Sequence, residues 1–280
     1  MNIPRLAYGT WVDNIQDAPT MKDRVINAIH VGYRHIDTAR NYGTEPYVIE
    51  GIQASGISRD EIYFTSKVQS IVKDEVLRKT LDHMVYYDLL LLHYPPMNTQ
   101  TRNNFKRTIL PIWIGMNNYL QTGIAKSIGV SNFYQNHLEL LLEVCDEYGL
   151  TRPLVNQIEI HPGNLELNYV PYMQSEGVIP FAHTPLGGLG SQYILNNDIL
   201  IAIGTRIGAT PAQVVLAYLL SRVIGVVTTS SQIYRMKESI HASDFTLTPE
   251  DIRAIDSTDA GFGPIIEGSI MSWSDNAELY

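Results

Sequence analysis

Four side chains in the first third of this 280-residue chain are of types, and at spacings, that could share one reaction site. Asp37 closes the short run Tyr33–Asp37, and Tyr42 follows five residues later. Lys67 closes Asp60-Glu-Ile-Tyr-Phe-Thr-Ser-Lys67, and His93 closes the continuous apolar run Tyr87-Asp-Leu-Leu-Leu-Leu-His93. A lysine or histidine directly after a buried strand is costly unless it has a partner. If the three strands are parallel and adjacent, an acid, a phenol, an ammonium and an imidazole meet at their carboxyl ends, where α/β folds place their chemistry. A phenol with an unperturbed pKa of about 10 is a sluggish acid–base group at neutral pH, and a neighbouring ammonium favours its ionised form. Singly, an aspartate in a βα turn, a strand-end lysine and a core histidine each have an ordinary structural reading. As a set they read as an acid–base site.

Positioning them requires strands alternating with helices, and the chain supplies both. Apolar runs read as strands at Tyr33–Asp37, Ile62–Lys67, Leu89–His93, Ala125–Val130, Leu154–Ile160, Val178–Ala182, Ile224–Thr228 and Asp244–Leu247. Helix patterns lie between them: Glu45 to Ala54, the face Val76, Leu77, Thr80, Leu81, Met84, then Pro111 to Gln121 closed by Gly123. Others carry Leu138, Leu141, Leu142 and Cys145, run from Tyr169 to Glu176, and run from Ile233 to His241. Thr20-Met-Lys-Asp23 and Thr210-Pro-Ala-Gln213 read as capping boxes, and Thr248-Pro-Glu-Asp251 starts a last helix before an irregular tail from Gly261. Eight strand–helix units with no linker predict a (β/α)₈ TIM barrel, one domain over residues 1–280, with its site at the carboxyl face of the strands. A doubly wound sheet is the alternative, and it calls for a Gly-x-Gly-x-x-Gly turn after an early strand. Gly187-Gly-Leu-Gly190 is the nearest approach and lacks both spacing and position.

Bulk composition sets the class. Hydrophobic residues make up 45% and charged residues 18%, which suits a globular protein with a sizeable core. A net charge of -9 argues against nucleic acid or an anionic membrane as main partner. One cysteine, Cys145, allows neither an internal disulfide nor a cysteine metal cluster, and no metal is expected. With no signal-like apolar stretch at the amino terminus and no membrane-length apolar run, the expected location is the cytoplasm.

The stretch Gly-Tyr-Arg-His-Ile-Asp-Thr-Ala39 with Tyr42 and Glu45 resembles the aldo-keto reductase signature. The resemblance continues through Leu-Leu-Leu-Leu-His93-Tyr-Pro, Ile128-Gly-Val-Ser-Asn-Phe133, Val155-Asn-Gln-Ile-Glu-Ile-His-Pro162 and Thr184-Pro-Leu-Gly187, and it covers nearly the whole chain. Ordered motifs over so long a stretch are far more specific than any one alone. The resemblance implies a nicotinamide-dependent carbonyl reductase whose tetrad is Asp37, Tyr42, Lys67 and His93. On that reading Tyr42 donates the proton, Lys67 activates it, Asp37 holds Lys67, and His93 orients the carbonyl oxygen. A barrel that binds cofactor with little turnover is the rival.

The resemblance also implies cofactor contacts. Ser131, Asn132 and Gln157 meet the carboxamide, and His183 stands where an aromatic stacks under the nicotinamide. Thr10, Trp11, Asp37, Thr184 and Leu186 complete that end. At the adenosine end the chain departs from the frequent Pro-Lys-Ser: it reads Thr228-Thr229-Ser230-Ser231, followed by Arg235, Glu238 and Ser239. This run resembles the yeast conjugated polyketone reductases, so NADPH is the expected cofactor, with NADH left open. Trp11, Asn41, Gln69 and Tyr94 are the expected pocket walls, more polar than usual because Gln69 and Tyr94 replace frequent tryptophans. The first strand of the family's amino-terminal hairpin, which plugs the barrel floor, has no counterpart. The expected partner is a small carbonyl compound, and the expected state a monomer or weak homodimer.

Overall fold

The computed structural model describes residues 3–81, 84–96, 99 and 101–259. Eight parallel strands close into a barrel in chain order: β1 (Leu6–Gly9), β2 (His35–Asp37), β3 (Tyr63–Val68), β4 (Leu89–Leu92), β5 (Ile128–Ser131), β6 (Val155–Glu159), β7 (Ile179–His183) and β8 (Gly225–Thr228). Tyr8 lies opposite Ile36 on one side and Thr228 on the other, so β1 joins β2 to β8 and closes the ring. The helices that follow the strands are α1 (Met21–Val31), α2 (Glu45–Ala54), α3 (Asp74–Leu81), α4 (Arg102–Gln121), α5 (Gln135–Tyr148) and α6 (Tyr169–Ser175). The set continues with α7 (Ser191–Leu195), α8 (Asp198–Ile207), α9 (Pro211–Ser221), α10 (Ile233–Ile240) and α11 (Pro249–Asp256). No single helix among the described residues is long and apolar enough to cross a membrane.

Alternation along the strands builds the site. Tyr63, Leu89, Leu91, Val155 and Phe181 point into the barrel and, with Ile3 below them, fill its lower interior. Crowding there is tight enough that a Cβ on Gly225 would lie 2.4 Å from the Phe181 ring. Their neighbours Phe64, Leu90, Leu92, Ile158 and Ala182 face outward into the larger core against the helices. Continued upward, the inward register passes from apolar to polar: Asp37, Lys67, His93, Ser131, Gln157 and His183 follow on the same side of their strands.

Several expectations from the sequence are corrected. The first barrel strand is Leu6–Gly9, and Asp244–Leu247 is not a strand. Once β1 has taken the free edge of β8, no edge remains for a ninth segment, and Asp244 instead ends a 3-10 turn. The helix expected from Pro111 starts at Arg102, capped by the Thr101 hydroxyl, and carries Pro111 in its interior. Thr20 makes no capping bond to α1; its hydroxyl donates to the Asp17 carbonyl at 2.6 Å. The capping boxes at Thr210 and Thr248 both form. The loop after β7 holds two helices that the sequence reading passed over, the second capped by the Asn197 side chain. Ile3, packed under the inner core, closes the barrel floor from the amino-terminal side. The tail from Gly261 lies outside the described residues.

Candidate active site

Asp37, Tyr42, Lys67 and His93 are brought together at the carboxyl rim. The Lys67 ammonium donates to Asp37 Oδ1 at 2.5 Å and to the Thr38 carbonyl at 3.1 Å. Both side chains are buried, 1% and 3% exposed, so the pair lies out of reach of solvent screening. The second carboxylate oxygen of Asp37 accepts from Gln157 Nε2 at 2.8 Å, and the Asp37 carbonyl accepts from Thr10 Oγ1 at 3.1 Å. Tyr42 sits in a 3-10 turn, Arg40–Tyr42, that ends on left-handed Gly43. The Gly43 φ of +71° favours glycine, and a Cβ there would also push aside the exposed tip of Ile15. The Lys67 ammonium lies 5.2 Å from the Tyr42 ring centre, and the His93 and Trp11 rings meet that ring edge-on at 5.7 and 4.9 Å. Tyr94 stacks on His93 at 4.5 Å.

The electrostatics differ in one respect from the sequence expectation. Burial raises the Tyr42 phenol above its ordinary value, and Lys67, which pulls it down, does not fully offset that. Its net shift is upward, not downward. Burial also works to lower Lys67, but the Asp37 carboxylate and the Tyr42 hydroxyl outweigh it and hold the ammonium charged. Burial, aided by Lys67 and His183, pushes His93 down to about 2, so its ring is neutral. A neutral imidazole can donate one hydrogen bond to a carbonyl oxygen. The Nδ1 atom of His93 is buried without a hydrogen-bond partner among the described residues. Buried polar atoms are usually paired, and exceptions concentrate where a ligand binds.

A second group lies along the same rim. The Ser131 hydroxyl donates to the Gln157 carbonyl at 2.7 Å. Asn132, in the left-handed region at φ 62°, donates to the His93 carbonyl at 3.0 Å. Its Oδ1 pairs with His183 Nε2 at 2.9 Å, while His183 Nδ1 pairs with the Thr184 hydroxyl at 3.1 Å. His183 therefore does more than present a ring: it is tied edge-on to Asn132. Burial lowers it to about 4, with Glu159 opposing, so the ring is neutral, and against the acceptor Asn132 Oδ1 its Nε2 is the hydrogen-bond donor. Leu186, half-buried, follows on the same loop. These hydroxyl, carboxamide and imidazole groups fit the nicotinamide end of a dinucleotide.

At the β1–β8 seam, Tyr8 donates to the Ser230 carbonyl at 2.7 Å and anchors the Thr229-Ser230-Ser231 loop. Thr229, Ser231 and Arg235 are exposed there, and Arg235 is the third residue of α10, its Nε bonded to the Tyr234 hydroxyl at 3.1 Å. Three hydroxyls and a guanidinium at a helix start fit a phosphate. Glu238 accepts from Thr210 Oγ1 at 2.5 Å through one carboxylate oxygen, and Ser239 reaches the Tyr33 phenol. Asn41 and Gln69 are exposed at the mouth beside Trp11, which is 51% exposed.

Sequence reasoning gave no role to the groups behind the tetrad. Glu45, part of the quoted signature, is buried and accepts from Ser66 and Tyr87. Its position at the start of a helix whose other acid, Glu50, is exposed was the available signal.

Comparison with known proteins agrees with this geometry. The sequence model described as "Aldo/keto reductase family" matches residues 5–260. The chain is 32% identical over 265 residues to the 9,11-endoperoxide prostaglandin H2 reductase of Trypanosoma cruzi, covering 91% of this chain and 88% of that one. It is 31% identical to the NADP-dependent D-sorbitol-6-phosphate dehydrogenase of Malus domestica, with 92% and 91% covered. Among solved structures, MGS-M4, an aldo-keto reductase from a Medee basin deep-sea metagenome library, superposes with a TM-score of 0.82 at 28% identity over 93% of both chains. Fold, rim and sequence lead to one conclusion: the chain belongs to the aldo/keto reductase family.

Proposed function

We propose that this protein is an NADPH-dependent carbonyl reductase in which Tyr42 delivers the proton. The carrying observation is the buried Lys67–Asp37 pair set against the Tyr42 ring. When bound, the nicotinamide supplies hydride to the carbonyl carbon; everything else falls to the protein. Ser131, Asn132 and Gln157 would hold the carboxamide, and His183 would stack against the ring. Neutral His93 donates a hydrogen bond to the carbonyl oxygen and fixes its direction. As charge builds on that oxygen, Tyr42 gives up its proton to it, and the Lys67 ammonium stabilises the phenolate left behind. The upward shift of the Tyr42 phenol suits an acid, because the proton must be present when the reaction begins.

The choice of NADPH rests on Arg235 and the seam hydroxyls, and one relative is named as NADP-dependent. The exposed, partly polar mouth of Trp11, Asn41 and Gln69 suits small polar carbonyl compounds as substrates. A screen of aldehydes, diketones and ketolactones, followed by NADPH absorbance, tests the class. Tyr42→Phe should then lower kcat on the best substrate by about 10²- to 10⁴-fold while NADPH binding persists. Turnover near wild type in that variant would remove Tyr42 from the role.

A further inference from the structure

Behind the tetrad, on the outer side of the sheet, lies a buried carboxylate that the proposed reaction does not use. Glu45 is the first residue of α2 and only 3% exposed. Its Oε1 accepts from the Ser66 hydroxyl at 2.5 Å and from the Tyr87 phenol at 3.2 Å. Its Oε2 lies 3.8 Å from Arg40, whose guanidinium also donates to Thr80 of α3 at 3.0 Å. Each partner borders a residue of the site. Arg40 opens the turn that ends at Tyr42. Ser66 is the outward neighbour of inward-facing Lys67 on β3. Tyr87 pairs beside the start of β4, the strand that leads to His93.

We infer that Glu45 is a positioning residue, a clamp that holds the Tyr42 turn against the strands carrying Lys67 and His93. The inference rests on the proposed role of Tyr42. Only Gly43 and Thr44 separate Tyr42 from Glu45, and Thr44 is fully buried, so displacement at the clamp passes along a short, packed segment to the phenol.

Burial works against the charge of the clamp. Burial raises the Glu45 carboxyl above the ordinary glutamate value, against the lowering effects of Ser66, Arg40 and Tyr87. Arg40 and Tyr87 are the charged and titratable groups facing it; Lys67 points to the opposite side of β3. A carboxyl whose folded pKa is raised binds its proton more tightly in the folded state. Its ionisation therefore lowers stability as pH rises through the folded value, and that cost vanishes at low pH. A structural carboxylate has the reverse sign.

Glu45→Gln keeps the acceptor for Ser66 and Tyr87 and removes the charge that faces Arg40. Compared with wild type and Tyr42→Phe, it should lower kcat roughly 10- to 100-fold, the usual result of a small misplacement of a reacting group. The NADPH Kd and the substrate KM should stay within about twofold of wild type, the range a group remote from both ligands leaves. Melting temperature at neutral pH should be equal to or above wild type, and that margin should shrink on acidification. The acid limb of the kcat profile should flatten in Glu45→Gln. Glu45→Ala, which loses all three contacts, should be slower still. Wild-type kcat with an unchanged pH profile in Glu45→Gln would overturn the inference while Tyr42→Phe remains inactive. So would parallel losses of kcat, NADPH affinity and melting temperature, which would make Glu45 simply structural. Near-wild-type turnover in Tyr42→Phe would instead sink the reading on which the inference stands.

Discussion

Replacing Lys67 with methionine separates the chemistry of the site from its stability. Methionine matches the length of the lysine stem and removes only the ammonium. Asp37 would then keep one strong donor, Gln157 Nε2 at 2.8 Å, and lose the contact at 2.5 Å. Breaking a buried pair from one side costs about 3–5 kcal/mol, because the remaining charge is left uncompensated. With Gln157 still donating, the lower part of that range applies. At roughly 2–4 °C per kcal/mol for a chain of this size, Lys67→Met should melt about 6–12 °C below wild type without cofactor. The double variant Lys67→Met/Asp37→Asn removes the orphaned charge and should recover at least half of that loss. Neither variant restores the ammonium beside Tyr42, so kcat should stay about 10²- to 10⁴-fold down in both. Circular-dichroism melts and steady-state kinetics on the same preparations make the comparison. A single variant melting within 2 °C of wild type, or a double variant no more stable than the single, would refute the reasoning (a margin of roughly 1 kcal/mol).

His183→Ala should weaken NADPH binding, and His183→Tyr should restore ring area without the bond to Asn132, leaving kcat below wild type; full recovery of both would show that bond to be idle. Arg235→Ala should raise the NADPH Kd by about 3- to 10-fold, at the low end for a charge-assisted contact because the side chain is exposed, and leave NADH unchanged; equal weakening of both would end its assignment to the phosphate. His93 and His183 have folded pKa values of about 2 and about 4, below their unfolded value. The stability this reflects is complete above pH of about 6.5 and is lost as pH falls through the folded values. His93→Gln should accordingly flatten the fall in melting temperature between roughly pH 6.5 and 4, and an undiminished slope would place the effect elsewhere.

Much of the site was legible because strand ends announce themselves. Lys67 closes a strand-like run and His93 an uninterrupted run of leucines, and alternation then fixes which face of the sheet each occupies. The helix caps at Thr210 and Thr248 were equally local signals. What could not be read depends on contacts between distant segments. Leu6–Gly9 is too short to show a period, and only its pairing with Thr228 and Ile36 makes it a strand. Phe245 and Leu247 alternate like a strand yet find no edge to join. Glu238 also binds Thr210, 28 residues away, a contact no local spacing shows. The Tyr42 shift went the other way because its size depends on how much protein surrounds the phenol, which no local pattern records. Glu45 has its partners 21 and 42 residues away, beyond any helical or strand period.

The seam between β1 and β8 has a consequence for how the chain folds. The Tyr8 hydroxyl and the Ser230 carbonyl that it binds are 222 residues apart in sequence. Seven of the eight strand pairings can form between neighbours in sequence, and each closes a short loop. The eighth must bring the two ends of the sheet together, the largest entropic cost of any pairing in the molecule. Asp37, Lys67, His93, Asn132 and Gln157 can thus take their places on an open, curved sheet before the ring exists. The Thr229–Ser231 loop is fixed only when β1 docks. If the ring closes last, as loop entropy favours, the loop proposed to take a cofactor phosphate is the last part of the site to be fixed.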